Sequence, residues 1–225
     1  MASKQSEAVR DHWRRMTEAA RANPDQTPEE VRERVEKNWG GLTAEPGGID
    51  YLEAEVAGLP ALWAVPKGSP EDSVILSVHG GGGVSGSIYT HRKLFGHVAK
   101  AVGARALLTE YRQAQYPAPL EDTTTAYRWL LDQGVDASHI AVAGDSLGGG
   151  VAVSTMLRAR ELGLPAAAAL MLISPWVDLT VSNQTFETNR ETEPFFSKEV
   201  VGALATMYLG APTRKIRWPA HSTPT

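Results

Sequence analysis

The sequence holds no cysteine in 225 residues. Disulfides, thiolate nucleophiles and Cys-ligated metal sites are therefore excluded, and no metal is expected. Long apolar runs are missing too: the longest, Ala166–Ile173, is far too short to cross a bilayer. Met1–Arg15 is polar and charged and has no apolar core of a signal peptide, so a cytoplasmic protein is expected. Positive charge is not in excess, since the formal net charge is -4. Nucleic acid and anionic membranes favour a basic surface, so neither is expected as a partner. Internal repeats and low-complexity linkers are also absent.

What remains is an ordinary folded composition. Apolar residues make up 42% and charged residues 21%, outside the disordered range. The length suits one buried core and fits one domain better than two.

The first forty residues read as two helices. Val9, Trp13, Met16 and Ala20 fall on one helical face. Thr27, Pro28 and Glu30 form a capping box that opens the second helix, where Val31 and Val35 supply the apolar stripe and Gly40-Gly41 the stop. The period then changes. Ile49–Val56 and Leu59–Val65 read as strands turning at Gly58. Val74–Val78, Ala104–Thr109, Ile140–Ala143 and Ala168–Ile173 are apolar runs of strand length. Helical stretches lie between them, near His91–Val102, Leu120–Leu131 and Gly149–Leu162. Such alternation predicts an α/β protein with a mostly parallel sheet buried on both faces.

Two glycine-rich motifs sit at the ends of strands. Gly144-Asp145-Ser146-Leu147-Gly148 matches G-x-S-x-G between an apolar run and a helix. That is the setting of a nucleophile elbow, in which a strained turn projects the serine hydroxyl and the following helix N-terminus faces developing negative charge. The plainer alternative is a glycine turn that only closes a strand–helix junction. His79-Gly80-Gly81-Gly82 follows the strand Val74–Val78, and its unshielded N–H groups suit an oxyanion. The N–H of Leu147 would complete the hole. His79 reads as a structural pin for the loop and not as a base. A rival reading takes Gly81-x-Gly83-x-x-Gly86, with Glu110 ending the next strand, as a dinucleotide fingerprint implying an NAD(P)-dependent oxidoreductase. It is disfavoured because two strands precede this one, and because it leaves Gly144–Gly150 unexplained.

Together these stretches resemble the hormone-sensitive-lipase-like esterases. The likeness continues through Gly86-Ser87-Ile88-Tyr89-Thr90-His91-Arg92, Tyr111-Arg112, Tyr116–Asp122 and Ser174–Leu179, from about residue 40 to about 211. The run ending in Thr90-His91-Arg92 is most similar to the acetyl-hydrolase and monoterpene-lactone-hydrolase branch. The resemblance implies an α/β-hydrolase fold, with helices on both faces of the sheet and an N-terminal helical cap. It implies Ser146 as acylated nucleophile and Gly81, Gly82 and Leu147 as oxyanion donors. It also implies a short-chain carboxylic ester or lactone as substrate, and no cofactor. Residues 1–42, with a segment near 186–209, would form the cap; residues 43–211 would form the core. Two departures stand out: Gly83 replaces a common aromatic residue, and Leu147 replaces a small Ala and would crowd the acyl site.

A serine hydrolase of this fold takes its Asp/Glu and then its His from positions after the serine. After Ser146 the only His is His221, and the only Asp is Asp178, which belongs to the Ser174–Leu179 match. The chain is therefore expected to be C-terminally truncated, without the triad acid and base and with little activity as it stands. Residues 212–225 show no helix or strand period. Read one nucleotide back with GC-rich codons, the tail can spell D-P-L-A-S-P-L, the run this family carries there. A frameshift near Pro212 is therefore expected, and the nucleotide sequence decides it. Loss of the last strands would leave a sheet edge open to non-native oligomers.

Overall fold

A computed structural model describes residues 3–22, 27–41, 43–193 and 195–210. Two helices come first, α1 (Lys4–Ala22) and α2 (Pro28–Trp39). Thr27 Oγ1 accepts the Glu30 N–H, and the Glu30 carboxylate accepts the Thr27 N–H at 2.8 Å. The capping box thus satisfies donors that the first turn of α2 leaves open. Val35 is buried, and α1 is the expected first helix. On it Val9 stays 56% exposed.

The hairpin β1 (Ile49–Val56) and β2 (Leu59–Pro66) then opens the sheet. It is followed by β3 (Val74–Val78), α3 (Ile88–Val102), β4 (Arg105–Thr109), α4 (Ala118–Asp132), β5 (Ile140–Asp145), α5 (Leu147–Glu161) and β6 (Ala169–Ile173). A short helix α6 (Thr185–Thr188) and α7 (Lys198–Leu209) close the described chain. The strand order is β1-β2-β4-β3-β5-β6. The hairpin and its junction with β4 are antiparallel, and the four strands from β4 to β6 are parallel.

Strand alternation sorts the core into two faces. Val74, Leu76 and Val78 of β3, Leu107 of β4 and Ile140 and Val142 of β5 pack with Tyr127 and Leu130 of α4 and Val151 of α5. Ile75, Ala106, Leu108 and Ala143, the intervening residues, pack with Ile88, Phe95 and Ala99 of α3. Period-two alternation with both faces apolar is what a sheet covered on both sides requires. β6 departs from this. Leu170, Leu172 and Ile173 are 41%, 36% and 36% exposed, and among the described residues no strand pairs with its outer edge. The expectation of burial on both faces therefore holds for β3 and β5 and fails at β6.

The parallel strands all point the same way. Their carboxyl ends deliver His79 after β3, Glu110 and Tyr111 after β4, and Ser146 after β5 to one rim of the sheet, where open α/β sheets place their ligands.

Candidate active site

Ser146 occupies the turn between β5 and α5 with φ 52° and ψ -122°. For a residue with a Cβ this backbone costs about 1–3 kcal/mol, and it persists only where surrounding structure overdetermines it. Here three backbone bonds do so. Ser146 N donates to Ile173 O at 2.9 Å, and Ser146 O accepts from Trp176 N at 2.8 Å and Gly150 N at 3.2 Å. The flanking glycines permit the close approach. A Cβ on Gly144 would overlap the Gly148 carbonyl, and one on Gly148 would overlap the carbonyls of Val78 and His79. The elbow therefore lies directly against the end of β3. The Ser146 hydroxyl has no hydrogen-bond partner among the described residues, and it is not enclosed from solvent.

The glycine loop after β3 is held against that elbow. Gly80 N donates to Asp145 Oδ1 at 3.0 Å. Gly81 has φ +124°, and a Cβ there would run into the Ser85 carbonyl. Gly81 O accepts from Val84 N at 3.2 Å and Ser85 N at 3.1 Å, which closes the loop on itself. Among the described residues no backbone or side-chain acceptor takes the N–H of Gly81, Gly82 or Leu147. Unpaired donors at the start of a helix and in a glycine loop can receive a developing oxyanion.

His79 is engaged elsewhere. Its Nδ1 lies 2.7 Å from Gly80 O and its Nε2 3.2 Å from Glu110 Oε1. Tyr111 stacks on the ring at 4.3 Å and donates its hydroxyl to His79 O at 2.9 Å. Burial raises the Tyr111 phenol well above its ordinary value, with the charges of Glu110 and Asp145 adding to it. The other Glu110 oxygen accepts the Ile88 N–H at 3.0 Å. Burial pushes the Glu110 carboxyl up. The His79 hydrogen bond and charge, the Ile88 N–H and Gln113 outweigh that and hold it below the usual carboxylate range. The dinucleotide reading needed Glu110 free for a ribose; it is instead committed to His79 and α3.

The two sequence departures meet in space. A Cβ on Gly83 would lie 3.2 Å from Leu147 Cδ2 and 3.2 Å from the Tyr208 ring, and one on Gly82 would lie 3.2 Å from Leu204. The absent side chain at 83 is thus balanced by Leu147 from α5 and Tyr208 from α7. Leu147 points into the core, 2% exposed. Burial, with Tyr116 nearby, raises the Tyr208 phenol.

Among the described residues Asp178 does not face a histidine. Its Oδ1 accepts from Thr180 N at 2.9 Å and Thr180 Oγ1 at 2.6 Å, and its Oδ2 from Ser182 Oγ at 3.3 Å. His221 lies outside the described residues, as does the 212–225 tail. Among the described residues no group of three or more His, Asp or Glu is placed to hold a metal. No helix there is long and apolar enough to cross a membrane. A cavity of about 370 Å³ opens between α1 and the 185–199 segment, lined by Phe186, Arg190, Glu193, Phe195 and Phe196 among others. It includes neither Ser146 nor the glycine loop, so backbone geometry, and not this cavity, marks the candidate site.

The family model for the alpha/beta hydrolase fold matches residues 75–223. The chain belongs to the α/β-hydrolase family. An acetyl-hydrolase of Streptomyces hygroscopicus is 33% identical over 85% of this chain and 71% of its own length. The carboxylesterase NlhH of Mycobacterium tuberculosis is 34% identical over 60% of this chain and 44% of its own length. The crystal structure of an esterase from the bacterial hormone-sensitive lipase family superposes with a TM-score of 0.86 at 37% identity, covering 96% of this chain and 72% of that one. This α/β-hydrolase is therefore of the hormone-sensitive-lipase-like, esterase-type branch, and the dinucleotide reading falls. It spans less than half the length of NlhH and under three quarters of the other two.

Proposed function

We propose that this chain carries a carboxylic-ester hydrolase site, acting through an acyl-enzyme on Ser146 with short-chain esters or lactones. In this reading Gly81, Gly82 and Leu147 receive the oxyanion of the tetrahedral intermediate. The observation that carries it is the strained Ser146 backbone in an elbow that Asp145 ties to the glycine loop, with the Ser146 hydroxyl and three N–H groups of elbow and loop unpartnered among the described residues. Hydroxyl attack on an ester carbonyl places negative charge on the carbonyl oxygen, and donors fixed in advance stabilise that charge without reorganising. No cofactor is needed for that chemistry.

The N-terminal region 1–42 and the segment near 186–209 are read as a cap over the acyl pocket. In support, Trp13 meets Phe195 at 4.9 Å between ring centroids, and Leu204 and Tyr208 lie over Gly82 and Gly83. The free edge of β6 is read as a surface for self-association.

The described residues place no imidazole on the Ser146 hydroxyl. Turnover then rests on His221 or on groups supplied from outside the described residues. Without a base the rate falls by several orders of magnitude, and only oxyanion and binding contributions remain. The test is hydrolysis of a p-nitrophenyl acetate and butyrate series by the 225-residue chain beside Ser146→Ala, with fluorophosphonate labelling of both. Labelling confined to the chain with Ser146 supports the nucleophile. A folded chain that no fluorophosphonate labels points instead to a ligand-binding remnant. Turnover lost in Ser146→Ala but kept in His221→Ala would move the base elsewhere.

A further inference from the structure

The residue before the serine is joined to a buried histidine that the ester chemistry does not use. Asp145 presents one oxygen to the glycine loop, accepting Gly80 N–H at 3.0 Å, and its other oxygen faces His91 Nε2 at 3.4 Å. His91 is 4% exposed, with the Trp39 ring edge-on at 5.8 Å and the His79 ring at 5.5 Å. On its far side His91 Nδ1 lies 2.8 Å from Thr90 Oγ1 and 3.3 Å from Ser87 O. Thr90 Oγ1 in turn accepts the Ser87 N–H at 2.8 Å.

These contacts suit one direction of donation. A carboxylate only accepts, so Nε2 must carry a proton to bond Asp145. In the neutral ring Nδ1 is then an acceptor, and the nearest donor to it is the Thr90 hydroxyl. That hydroxyl has a second acceptor, Ser87 O, at a comparable 2.9 Å; donation to Nδ1 is the choice that leaves the acceptor nitrogen of the neutral ring partnered. A continuous relay results: Ser87 N–H to Thr90, Thr90 O–H to His91 Nδ1, His91 Nε2–H to Asp145, and Asp145 holding Gly80 N–H. Hydrogen-bonded partners of this kind select a histidine tautomer.

We infer that His91 is a positioning residue: fixed as the Nε2–H tautomer by Thr90, it orients Asp145, which sets Gly80 and hence the N–H groups of Gly81 and Gly82. The last link rests on the reading of Gly81 and Gly82 as oxyanion donors. A Cβ on Gly80 would overlap an Asp145 carboxylate oxygen, so a small swing of the Asp145 carboxylate is felt directly by the loop backbone.

The experiment uses the 225-residue chain labelled with nitrogen-15, with Thr90→Val, Thr90→Ser and His91→Phe. Ring spectra of the parent chain are expected to show a pyrrole-type Nε2 and a pyridine-type Nδ1 for His91, the signal being assigned by its loss in His91→Phe. In Thr90→Val that pattern is lost. The Gly80 amide then exchanges about tenfold faster or more while Leu76 and Val142 keep their protection. Thr90→Ser restores both. Fluorophosphonate labelling of Ser146 slows in Thr90→Val and recovers in Thr90→Ser. A pyridine-type Nε2 in the parent chain, or unchanged Gly80 exchange in folded Thr90→Val, overturns the relay. Faster Gly80 exchange with an unchanged labelling rate overturns its link to the oxyanion donors. If Ser146 is unlabelled even in the parent chain while the ring and exchange results hold, the nucleophile reading fails and the positioning of Gly80 stands.

Discussion

Gly148→Ala should destabilise this chain, against the usual sign for a glycine in a helix. Gly148 is the second residue of α5. Replacing an interior helical Gly by Ala ordinarily gains about 0.8–1.0 kcal/mol. Here the new Cβ would overlap the carbonyl oxygens of Val78 and His79 and approach His79 C to 2.7 Å. Those are backbone atoms, so no rotamer change relieves the overlap, and the elbow must move off the end of β3. Overpacking of this kind costs about 1–3 kcal/mol or more. With the upper end taken and the helix gain subtracted, the net loss is about 2 kcal/mol. In a chain of this size that lowers Tm by about 4–8 °C. Gly202 in α7 is the control, since nothing lies within 4 Å of a Cβ there and its φ is not positive. Gly202→Ala should raise Tm by about 2–4 °C. Both are read by thermal unfolding followed by circular dichroism. If Gly148→Ala matches or exceeds the parent, or if the two variants shift in the same direction, the close approach of elbow and strand is wrong.

Ser146→Gly removes a Cβ from a backbone that costs about 1–3 kcal/mol, offset by about 0.5–1 kcal/mol of glycine entropy. Tm should therefore rise slightly while fluorophosphonate labelling disappears; a lower Tm speaks against strain at the elbow. Glu110, held below its ordinary value by His79 despite its burial, contributes stability above about pH 4.3 and loses it as pH falls through its folded value. The acid limb of a Tm-against-pH curve should be shallower in Glu110→Gln, and parallel curves would refute the pairing. Leu172→Lys on the exposed β6 strand should reduce self-association of the 225-residue chain in light scattering, since charge blunts a free edge. A monodisperse parent chain would dismiss the edge as an association surface.

Strands and helices were legible where local chemistry alone decides them. Val74–Val78 is apolar throughout except for Ser77 and buried throughout, so its run marks the strand without help from partners. The helix starts were harder. α3 begins at Ile88 and not near His91, because Ser87 caps it with Thr90 at the third position, where an acidic partner is the familiar signal. α5 begins at Leu147 and not at Gly149, because its glycines answer to tertiary contacts: Gly149 with Pro175, Gly150 with the Trp176 carbonyl. The open edge at β6 followed from the expected loss of the last strands, whereas the exposure of Val9 was illegible for the opposite reason. An apolar residue announces a wish to be covered, while the sequence pattern does not say whether anything arrives to cover it.

The candidate site divides along the same line. Its backbone half left a local mark in the glycine spacing of the two motifs, although the turn at Ser146 is held by Ile173 and Trp176 from far along the chain. Its side-chain half left none. Asp145 stood in the sequence as the variable letter of G-x-S-x-G, yet it joins residues 65 and 54 positions away. No periodicity carries pairings across such separations, because they exist only once β3, α3 and β5 have been brought to one rim. The same holds for Gly83 and Leu147. Each is a departure when read alone; together they are one packing arrangement, with the side chain missing from the loop replaced by one from α5 and by Tyr208. Their effects should therefore be non-additive. Gly83→Ala should cost more in the parent chain, where the Leu147 side chain fills the space, than in the Leu147→Ala background, where that space is open. Equal costs in the two backgrounds, measured by denaturant unfolding, would show that the two departures arose at independent sites.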